Sequence, residues 1–437
     1  SGPAAGALAG AFFGAEDAGG NLLAFDMGGT TAKLSLVDDG EPLIAYTFEA
    51  ARQKRFMENS GLPIRISTIE LIEIGAGGGS IAHTDALGLL KVGPRSAGSE
   101  PGPATYGQGG TAATVTDADF ALGYLNADNF AGGTVTIDLA AGTKALDSLA
   151  TETGLSREQI AWGVHDVVNE NMASAARVHI AERGRDPRNY ALLCTGGAGP
   201  VHAYYVAKKL GLKKIICPAS AGVASALGLL VAPGRVDRVA TVGFRLNDHD
   251  PAELECVFTK LERDAQGVIA ATGLDPASTQ FHRLADGRFV GQGFDLVVNL
   301  PGGPYTDDRA SVRQSLVDAF MAGYHEKFGR TPPNVPIEFM NVRLSATAPV
   351  PGGEVLLSGN KGDGGATPTG TRPAYFPETG YVDTAVYDRP SLHVGDEFPG
   401  PAIIEDSGST LIVGPSAKVR VADTGNIIVT LPEGDSV

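Results

Sequence analysis

The sequence contains little cysteine and no long apolar run. Its 437 residues include three cysteines, Cys194, Cys217 and Cys256, without a CxxC spacing. Disulfides are therefore not expected to hold the fold, and a reducing cytoplasm is the predicted compartment. No stretch of about 18 apolar residues free of charges and turn formers occurs, which argues against a membrane span. Residues 1–13 are small and apolar but lack the basic segment that begins a signal peptide.

Positive charge is also scarce. The chain has 34 Lys and Arg residues against 50 Asp and Glu residues, a formal net charge of -16. Such a surface repels phosphate backbones, so nucleic acid is not an expected partner. A nucleotide bound here would have to be held locally, by backbone N–H groups, helix N-termini or a metal ion.

The composition that remains is that of an ordinary globular protein, with 43% hydrophobic and 19% charged residues. The length exceeds the roughly 250 to 300 residues that one hydrophobic core supports, so two domains are predicted. Helices and strands alternate up to about residue 237, whereas strands predominate afterwards. We therefore predict one domain over residues 1–237 and a second over residues 238–437.

Element patterns define the fold class of each predicted domain. In the first, a long helix is predicted over residues 156–183, and a strand, a glycine-rich turn, a helix and a strand follow over residues 190–217. This order is that of a βαβ unit, which predicts a parallel sheet and an α/β fold. The second domain is predicted to be mixed and β-rich, with one helix near residues 311–328 and a mobile loop at residues 352–373.

The first candidate site is a turn between two predicted strands: a buried strand at residues 21–26 and a strand at residues 33–37 that pairs back across the turn. Asp26 is followed closely by Gly28, Gly29, Thr30 and Thr31. A carboxylate at this place can orient a metal ion or a water molecule, and two glycines let backbone N–H groups approach phosphate oxygens. The same residue types also occur in ordinary hairpin turns, which is the alternative interpretation.

The second candidate site is the glycine-rich turn of the βαβ unit. Its residues are Gly196, Gly197, Ala198 and Gly199. His202 follows at the start of the predicted helix, where its ring would face a cleft as a ligand or proton donor. The alternative for a lone histidine is a packed or surface residue.

Three acidic residues complete the candidate set. Glu73 ends a predicted strand just before the glycines at residues 75–79, where it would serve as a base or metal ligand; a salt-bridged glutamate beside a flexible loop is the alternative. Asp117 and Asp119 offer the hard oxygen ligands that Mg²⁺ or Mn²⁺ prefers, and with Asp26 they form the predicted metal ligands. A helix N-cap at residues 116–117 is the alternative for Asp117.

Several motifs resemble one known superfamily. The segment SGPAAGALAG and the following strand and turn DMGGTTAKL resemble the interdomain helix and second phosphate loop of the actin, sugar-kinase and heat-shock chaperone ATPases. The segment TGGAGPVHA at residues 195–203 is similar to the adenosine loop of that superfamily. The resemblance implies a ribonuclease-H-like lobe that binds ATP with Mg²⁺ or Mn²⁺.

The resemblance narrows to the hydantoinase A/oxoprolinase family. The strings that carry it are SGPAAG, FDMGGT, EIGAGGGSIA, VGPRSAGSEPGPATYG, VTDADFALG, GGAGPVHA, RFVGQGFDL and GPAIIEDSGST, in this order. The family includes ATP-dependent hydantoinases, oxoprolinases and lactamases and the ATP-using subunits of acetone and acetophenone carboxylases. It implies that ATP phosphorylates a cyclic amide or a ketone for hydrolysis or carboxylation, within a hetero-oligomer that contains a hydantoinase B-type subunit.

Two departures from the family pattern are visible. Many members carry Thr or Ser followed by Asp where this chain has Ala32 and Lys33. Family members also have an upstream domain with a first phosphate loop, which has no second copy in this sequence. Together with the missing initial Met, this predicts that an N-terminal lobe is supplied in cis or in trans. A nucleotide-gated module without catalysis and a small-molecule kinase of the same superfamily are the alternative functions.

Overall fold

A computed structural model of the chain describes residues 2–51, 53, 60–64, 66–332, 335–351, 357–362 and 365–432. Part of the loop predicted at residues 352–373 lies outside these ranges. The final residues of that predicted loop belong to a strand. The helices of the described ranges are α1 (Gly2–Ala18), α2 (Val115–Ala121), α3 (Leu139–Thr153), α4 (Arg157–Glu182), α5 (Gly199–Leu210), α6 (Ala224–Val231), α7 (Pro251–Ala271) and α8 (Arg309–Phe328).

The strands are more numerous and mostly short. Their bounds are β1 (Leu22–Met27), β2 (Ala32–Asp38), β3 (Glu41–Pro42), β4 (Ile44–Ala45), β5 (Phe48–Ala50), β6 (Leu62–Ile64), β7 (Thr68–Ile69), β8 (Ile72–Ile74), β9 (Ser80–Thr84), β10 (Leu90–Ser96), β11 (Ala191–Thr195), β12 (Lys214–Cys217), β13 (Gly234–Arg245), β14 (Gln280–Phe289), β15 (Leu296–Asn299), β16 (Ile337–Ala348), β17 (Gly370–Phe376), β18 (Gly380–Asp388), β19 (Glu397–Pro399), β20 (Ala402–Glu405), β21 (Thr410–Val413), β22 (Lys418–Val421) and β23 (Ile427–Thr430).

The main sheet has the order β19-β22-β23-β12-β11-β1-β2-β3, with β8 paired to β2. Strands β1, β11 and β12 are parallel, whereas β1 and β2 form an antiparallel hairpin. Every residue of β11 is buried, as expected for an interior strand covered by helices on both faces. The predicted βαβ unit and the predicted hairpin are therefore confirmed.

The long helix α4 follows the sequence prediction closely. Ser156 caps its N-terminus, and Gln159 closes a capping box by accepting a hydrogen bond from the backbone of Ser156. Buried residues at helical spacing, including Ile160, Val164 and Val168, face the core of the main sheet. The helix observed at Arg157–Glu182 thus agrees with the helix predicted over residues 156–183.

The compact units of the fold divide the chain differently from the predicted domains. One compact unit comprises residues 1–64, 68–230 and 356–437, and the other comprises residues 65–67 and 231–355. Strand β23 pairs with β12 in an antiparallel register, Ile428 opposite Ile216, so that β23 extends the main sheet. The boundary between residues 237 and 238 stays a prediction.

The second unit contains a four-stranded antiparallel sheet of order β13-β16-β14-β15 and the helices α7 and α8. Its core includes Phe258, Phe320 and Phe339, all fully buried. The helix α8 was predicted, but α7 was not. The strands β14 and β15 are antiparallel neighbours in this sheet.

None of the helices in the described ranges combines the length and the apolar character that a membrane crossing requires.

Candidate functional site

The two predicted glycine turns lie at the same end of adjacent parallel strands. Asp26 at the end of β1 is in register with Thr195 at the end of β11. The backbone N–H of Ala198 donates to the carbonyl of Met27 at 3.0 Å. Gly196 has a φ of +83°, and a Cβ at this position would lie 2.5 Å from Oδ1 of Asp26. The turns therefore contact each other directly, and only glycine fits where they meet.

The first turn, residues 26–31, is narrow at its base and open at its tip. The N–H of Gly28 donates to the carbonyl of Thr31 at 3.2 Å, which closes the turn. Gly29 and Thr30 are exposed. A Cβ on Gly28 or Gly29 would meet no described atom within 4 Å. The tip therefore has room for a ligand against its backbone.

The glycines after Glu73 pack onto this first turn. Gly78 N–H donates to the carbonyl of Gly28 at 3.1 Å, and Gly79 N–H donates to that of Gly29 at 2.7 Å. A Cβ on Gly77 would lie 2.6 Å from backbone atoms of Thr30. These N–H groups are already used, so the segment supports the first turn rather than forming a separate anion nest.

Asp26 is partly buried between the turns. Burial raises the pKa of its carboxyl above the ordinary value, and the nearby Lys33 ammonium offsets this only in part. Ser225 of α6 lies with its hydroxyl 3.5 Å from Oδ2 of Asp26. Ser225 was not predicted as a site residue, because no local motif links it to a strand 199 positions earlier.

Glu73 and Lys33 are opposite each other on β8 and β2. The Lys33 ammonium lies 3.8 Å from the Glu73 carboxylate, and it donates to the hydroxyl of Thr31. The Glu73 side chain is 59% exposed. Glu73 therefore forms a salt bridge, as the alternative interpretation has it. Its carboxylate is also exposed to solvent beside the first turn.

Asp117 is a buried capping residue. Its carboxylate accepts from the backbone N–H groups of Thr105 and Thr114, both at 2.8 Å, from the Thr114 hydroxyl at 2.7 Å and from Ala104 N–H at 3.3 Å. Thr114, rather than Thr116, is the N-cap of α2, and it forms a capping box with Asp117. Because four donors already occupy this carboxylate, its contacts are those of a structural cap and not those of the predicted metal ligand.

The D117A variant is expected to lose about 2 to 4 kcal/mol of unfolding free energy, because it leaves several buried donors without an acceptor. Urea denaturation followed by circular dichroism measures this loss. D138A is the matched control, since Asp138 caps α3 from an exposed position and accepts only from Ala141. Its loss is expected to be near 1 kcal/mol. Equal losses for both variants would contradict the capping role of Asp117.

Asp119 lies in a buried cluster with two histidines. Its Oδ1 is 2.8 Å from Nδ1 of His165, and its Oδ2 is 3.4 Å from Nε2 of His202. The two imidazole rings are stacked, with centroids 4.5 Å apart. Nδ1 of His202 is 2.8 Å from the side-chain oxygen of Asn169. All four side chains are buried, so His202 does not face an open cleft as predicted.

Burial and the neighbouring histidines shift the pKa of Asp119 in opposite directions. Burial acts to raise the pKa of Asp119, but His202 and His165 outweigh it and hold that pKa below the ordinary value. Burial, assisted by His202, lowers the pKa of His165. Within the described part of the chain, Asp119, His165 and His202 are the one group of three side chains placed to hold a metal ion. Asp26 and Asp117 do not belong to it.

A cavity of about 220 Å³ opens near the second turn. Its lining includes Ser220, Asn360, Arg389 and Asp406, and none of residues 26–31 or 195–200. Ser220 precedes Ala221, whose carbonyl accepts from Gly196 N–H at 2.9 Å. Neither turn therefore contributes to the lining of this cavity.

The three thiols are not paired with each other. Cys194 and Cys217 are buried and Cys256 is exposed, and all three are free. Cys194 lies within β11 directly before the second turn, where it packs in the core of the main sheet.

Comparisons with known proteins match nearly the whole chain. The hydantoinase/oxoprolinase family matches residues 1–238, and the hydantoinase/oxoprolinase C-terminal domain matches residues 247–428. The caprolactamase subunit alpha of Pseudomonas jessenii is 32% identical over 411 residues, which are 92% of this chain and 57% of that protein. The acetophenone carboxylase gamma subunit of Aromatoleum aromaticum is 32% identical over 449 residues, covering 98% of this chain and 59% of that protein.

Solved structures extend the likeness to the fold. The crystal structure of the ATP-dependent caprolactamase from Pseudomonas jessenii matches with a TM-score of 0.80 and 31% identity over 98% of this chain and 61% of that one. Nucleotide-free acetone carboxylase matches with a TM-score of 0.76 and 26% identity over the same shares. These likenesses confirm the predicted ribonuclease-H-like lobe. The chain spans about three fifths of the length of these relatives. Its sequence and its fold together place the chain in the hydantoinase/oxoprolinase family.

Proposed function

We propose that this chain forms one wall of an ATP site at which the carbonyl oxygen of a cyclic amide or a ketone is phosphorylated. The observation that carries the proposal is the direct contact of the two glycine turns, through Ala198 and Met27 and through Gly196 and Asp26. Phosphorylation turns a poor leaving oxygen into a phosphate ester, which lowers the barrier to attack at the adjoining carbon. Members of the family with named activities, a caprolactamase and ketone carboxylases, act on carbonyl compounds of these classes.

The first turn suits the triphosphate. Gly29 and Thr30 present an exposed backbone, Thr30 and Thr31 add hydroxyl donors, and the Lys33 ammonium lies beside Thr31. Backbone N–H groups in such a turn bind anionic oxygens without a basic protein surface, which agrees with the net charge of -16. The second turn, residues 196–199, is proposed to contact the nucleoside.

The first turn offers one ligand for Mg²⁺ or Mn²⁺, the carboxylate of Asp26. Asp26 provides a hard oxygen ligand at a strand end, partly shielded from water and adjacent to the open tip of the turn. A divalent ion bound there would neutralise charge on the transferring phosphate. Asp26 would hold the ion directly or through water, and Glu73 is a further candidate as a base at the exposed edge of the turn.

Partners of the complex belong to the proposal as well. Relatives are named as alpha, beta and gamma subunits of larger enzymes. We propose that a hydantoinase B-type subunit completes hydrolysis or carboxylation in a cytoplasmic hetero-oligomer. A lobe with the first phosphate loop, in cis or in trans, would form the opposite wall of the nucleotide site.

Substrate-stimulated ATP consumption tests the function. The complete complex is incubated with ATP, Mg²⁺ and bicarbonate, and each reaction receives one carbonyl compound: a hydantoin, a lactam, 5-oxoproline, acetone or acetophenone. We expect one class to raise ADP or AMP release about 10-fold or more, because the phosphoryl acceptor completes the reacting geometry. Product analysis then separates hydrolysis from carboxylation.

Two outcomes would replace the proposal with another function. Tight ATP binding without stimulation by any carbonyl compound would indicate a nucleotide-gated module. Release of a stable phosphorylated product would indicate a small-molecule kinase. The same assay with bicarbonate omitted serves as the control that identifies a carboxylase.

A further inference from the structure

A buried polar cluster lies on the helices α2, α4 and α5, and several of its polar atoms lack hydrogen-bond partners. Asp119 of α2, His165 and Asn169 of α4 and His202 of α5 have almost no solvent exposure. In the part of the chain that the structure describes, three of their buried atoms have no hydrogen-bond partner: Nε2 of His165, Nε2 of His202 and Nδ2 of Asn169. Buried polar atoms without a partner destabilise the folded state. A bound cation would give a partner to imidazole nitrogen in this cluster, whereas Nδ2 of Asn169 is a donor and would not bind it.

One of the atoms without a partner is Nε2 of His202. Its Nδ1 lies 2.8 Å from the side-chain oxygen of Asn169, which only accepts, so Nδ1 carries a proton. Nε2 lies 3.4 Å from a carboxylate oxygen of Asp119, without the geometry of a hydrogen bond. In the neutral ring Nε2 carries a lone pair, and two electron-rich atoms then face each other in the protein interior. A cation between them removes the conflict.

The separation of these two atoms matches a metal site. Tetrahedral Zn²⁺ binds histidine nitrogen and carboxylate oxygen at about 2.0 to 2.2 Å, which places neighbouring ligand atoms about 3.3 Å apart. The observed 3.4 Å between Asp119 and His202 is close to this value. One ligand atom from each of Asp119, His165 and His202 lies within 4.8 Å of the other two.

We propose that Asp119, His165 and His202 bind a transition-metal ion. Two imidazole ligands favour Zn²⁺, Co²⁺, Ni²⁺ or Fe²⁺ over Mg²⁺, which prefers an all-oxygen shell. Asn169 accepts from Nδ1–H of His202 and so directs Nε2 of that ring toward the ion. The site is distinct from the Mg²⁺–ATP position proposed at Asp26, and it does not depend on that proposal.

Its place in the fold indicates what such an ion does. Asp119 is on α2, where Thr116 N–H donates to the carbonyl of Gly78, and Gly78 in turn supports the first turn. His202 is on α5, which begins directly after the second turn. His165 is on α4 between them. The ion therefore joins three helices that position both turns, and its role is to hold the turns in place rather than to contact substrate.

Metal analysis of the native protein tests the site. The purified full chain is stripped with a chelator under mild denaturation, refolded with Zn²⁺, Co²⁺ or Mg²⁺, desalted and analysed by mass spectrometry for bound metal. We expect about one Zn²⁺ or Co²⁺ per chain, a visible absorption band from tetrahedral Co²⁺, and no retained Mg²⁺. The thermal midpoint of unfolding should fall when the metal is withheld.

Two variants of α4 provide a matched comparison. H165N removes one ligand, and it should lose both the bound metal and the metal-dependent shift of the thermal midpoint. H179N replaces another buried histidine of α4, which neighbours Glu70 and lies outside the cluster; it should bind metal as the wild type does. If the refolded wild type retains no more than trace metal, the proposal is wrong, whether or not H165N folds. Full metal retention by H165N also overturns it.

Discussion

D26N is expected to lower the rate of ATP consumption by the complete complex about 100-fold or more, with little change in folding. Asp26 lies at the junction of the two turns, its carboxylate next to Gly196 and Ser225. An amide keeps the size of the side chain but removes the negative charge that a divalent ion requires. Loss of a charged group at the centre of a phosphoryl-transfer site costs several kcal/mol of transition-state stabilisation. Steady-state rates at saturating ATP and Mg²⁺ measure the effect. D138N, at an exposed helix cap, is the control.

The stability of D26N separates lost catalysis from lost folding. Because burial raises the pKa of Asp26 in the folded state, folding favours its protonated form. The wild type therefore loses stability as the pH rises from about 4 through the raised pKa, and the loss persists above it. Asparagine is neutral at every pH, so D26N should be at least as stable as the wild type near pH 7 and should lose this advantage in acid. Wild-type turnover by D26N would remove Asp26 from the mechanism.

G77A is expected to abolish nucleotide binding by deforming the first turn. The added methyl group would lie 2.6 Å from backbone atoms of Thr30, a distance at which the backbone must move. That movement would break the hydrogen bonds from Gly78 and Gly79 to Gly28 and Gly29. Misplacing a positioning element by about 1 Å lowers rates about 100-fold. Fluorescent ATP-analogue titration of the complete complex measures the loss.

The control for this variant is G267A. Gly267 is exposed on α7, and a Cβ there meets no atom within 4 Å outside its own helix. Alanine in the middle of a helix is favoured over glycine by about 1 kcal/mol, so G267A should be neutral or slightly stabilising. If G77A binds nucleotide as well as G267A does, the support of the first turn by the glycine segment is not needed for binding.

Local signals predicted the elements around the two turns. The strand before Asp26, the hairpin that follows it and the long helix beginning after Ser156 were all found as expected, because each has its own periodicity and end signals. The helix α7 has similar signals, with Asp250 as cap, Pro251 at the first turn and Glu253 closing a capping box. It was missed because the surrounding residues are dominated by strand patterns, although the capping residues were readable.

Long-range pairings were beyond local patterns. The antiparallel ladder between β12 and β23 joins residues far apart in sequence, and no turn residue marks it. The buried cluster also depends on contacts between residues far apart in sequence, since Asp119 and His165 are 46 positions apart and His202 is on a third helix. The sequence therefore suggested Asp119 and His202 as separate candidates with separate roles. Their common site became visible only with the packing of α2, α4 and α5.

The pairing of β23 with β12 also has a consequence for biosynthesis. A nascent chain emerging from the ribosome exposes β12 as an open strand edge until residues 427–430 have been made. Open edges of this kind promote pairing between molecules. All of residues 231–355 must be translated during this interval. The sheet that bears both turns is therefore complete only after residues 427–430 have been made, and a chain that stops before them keeps the β12 edge open.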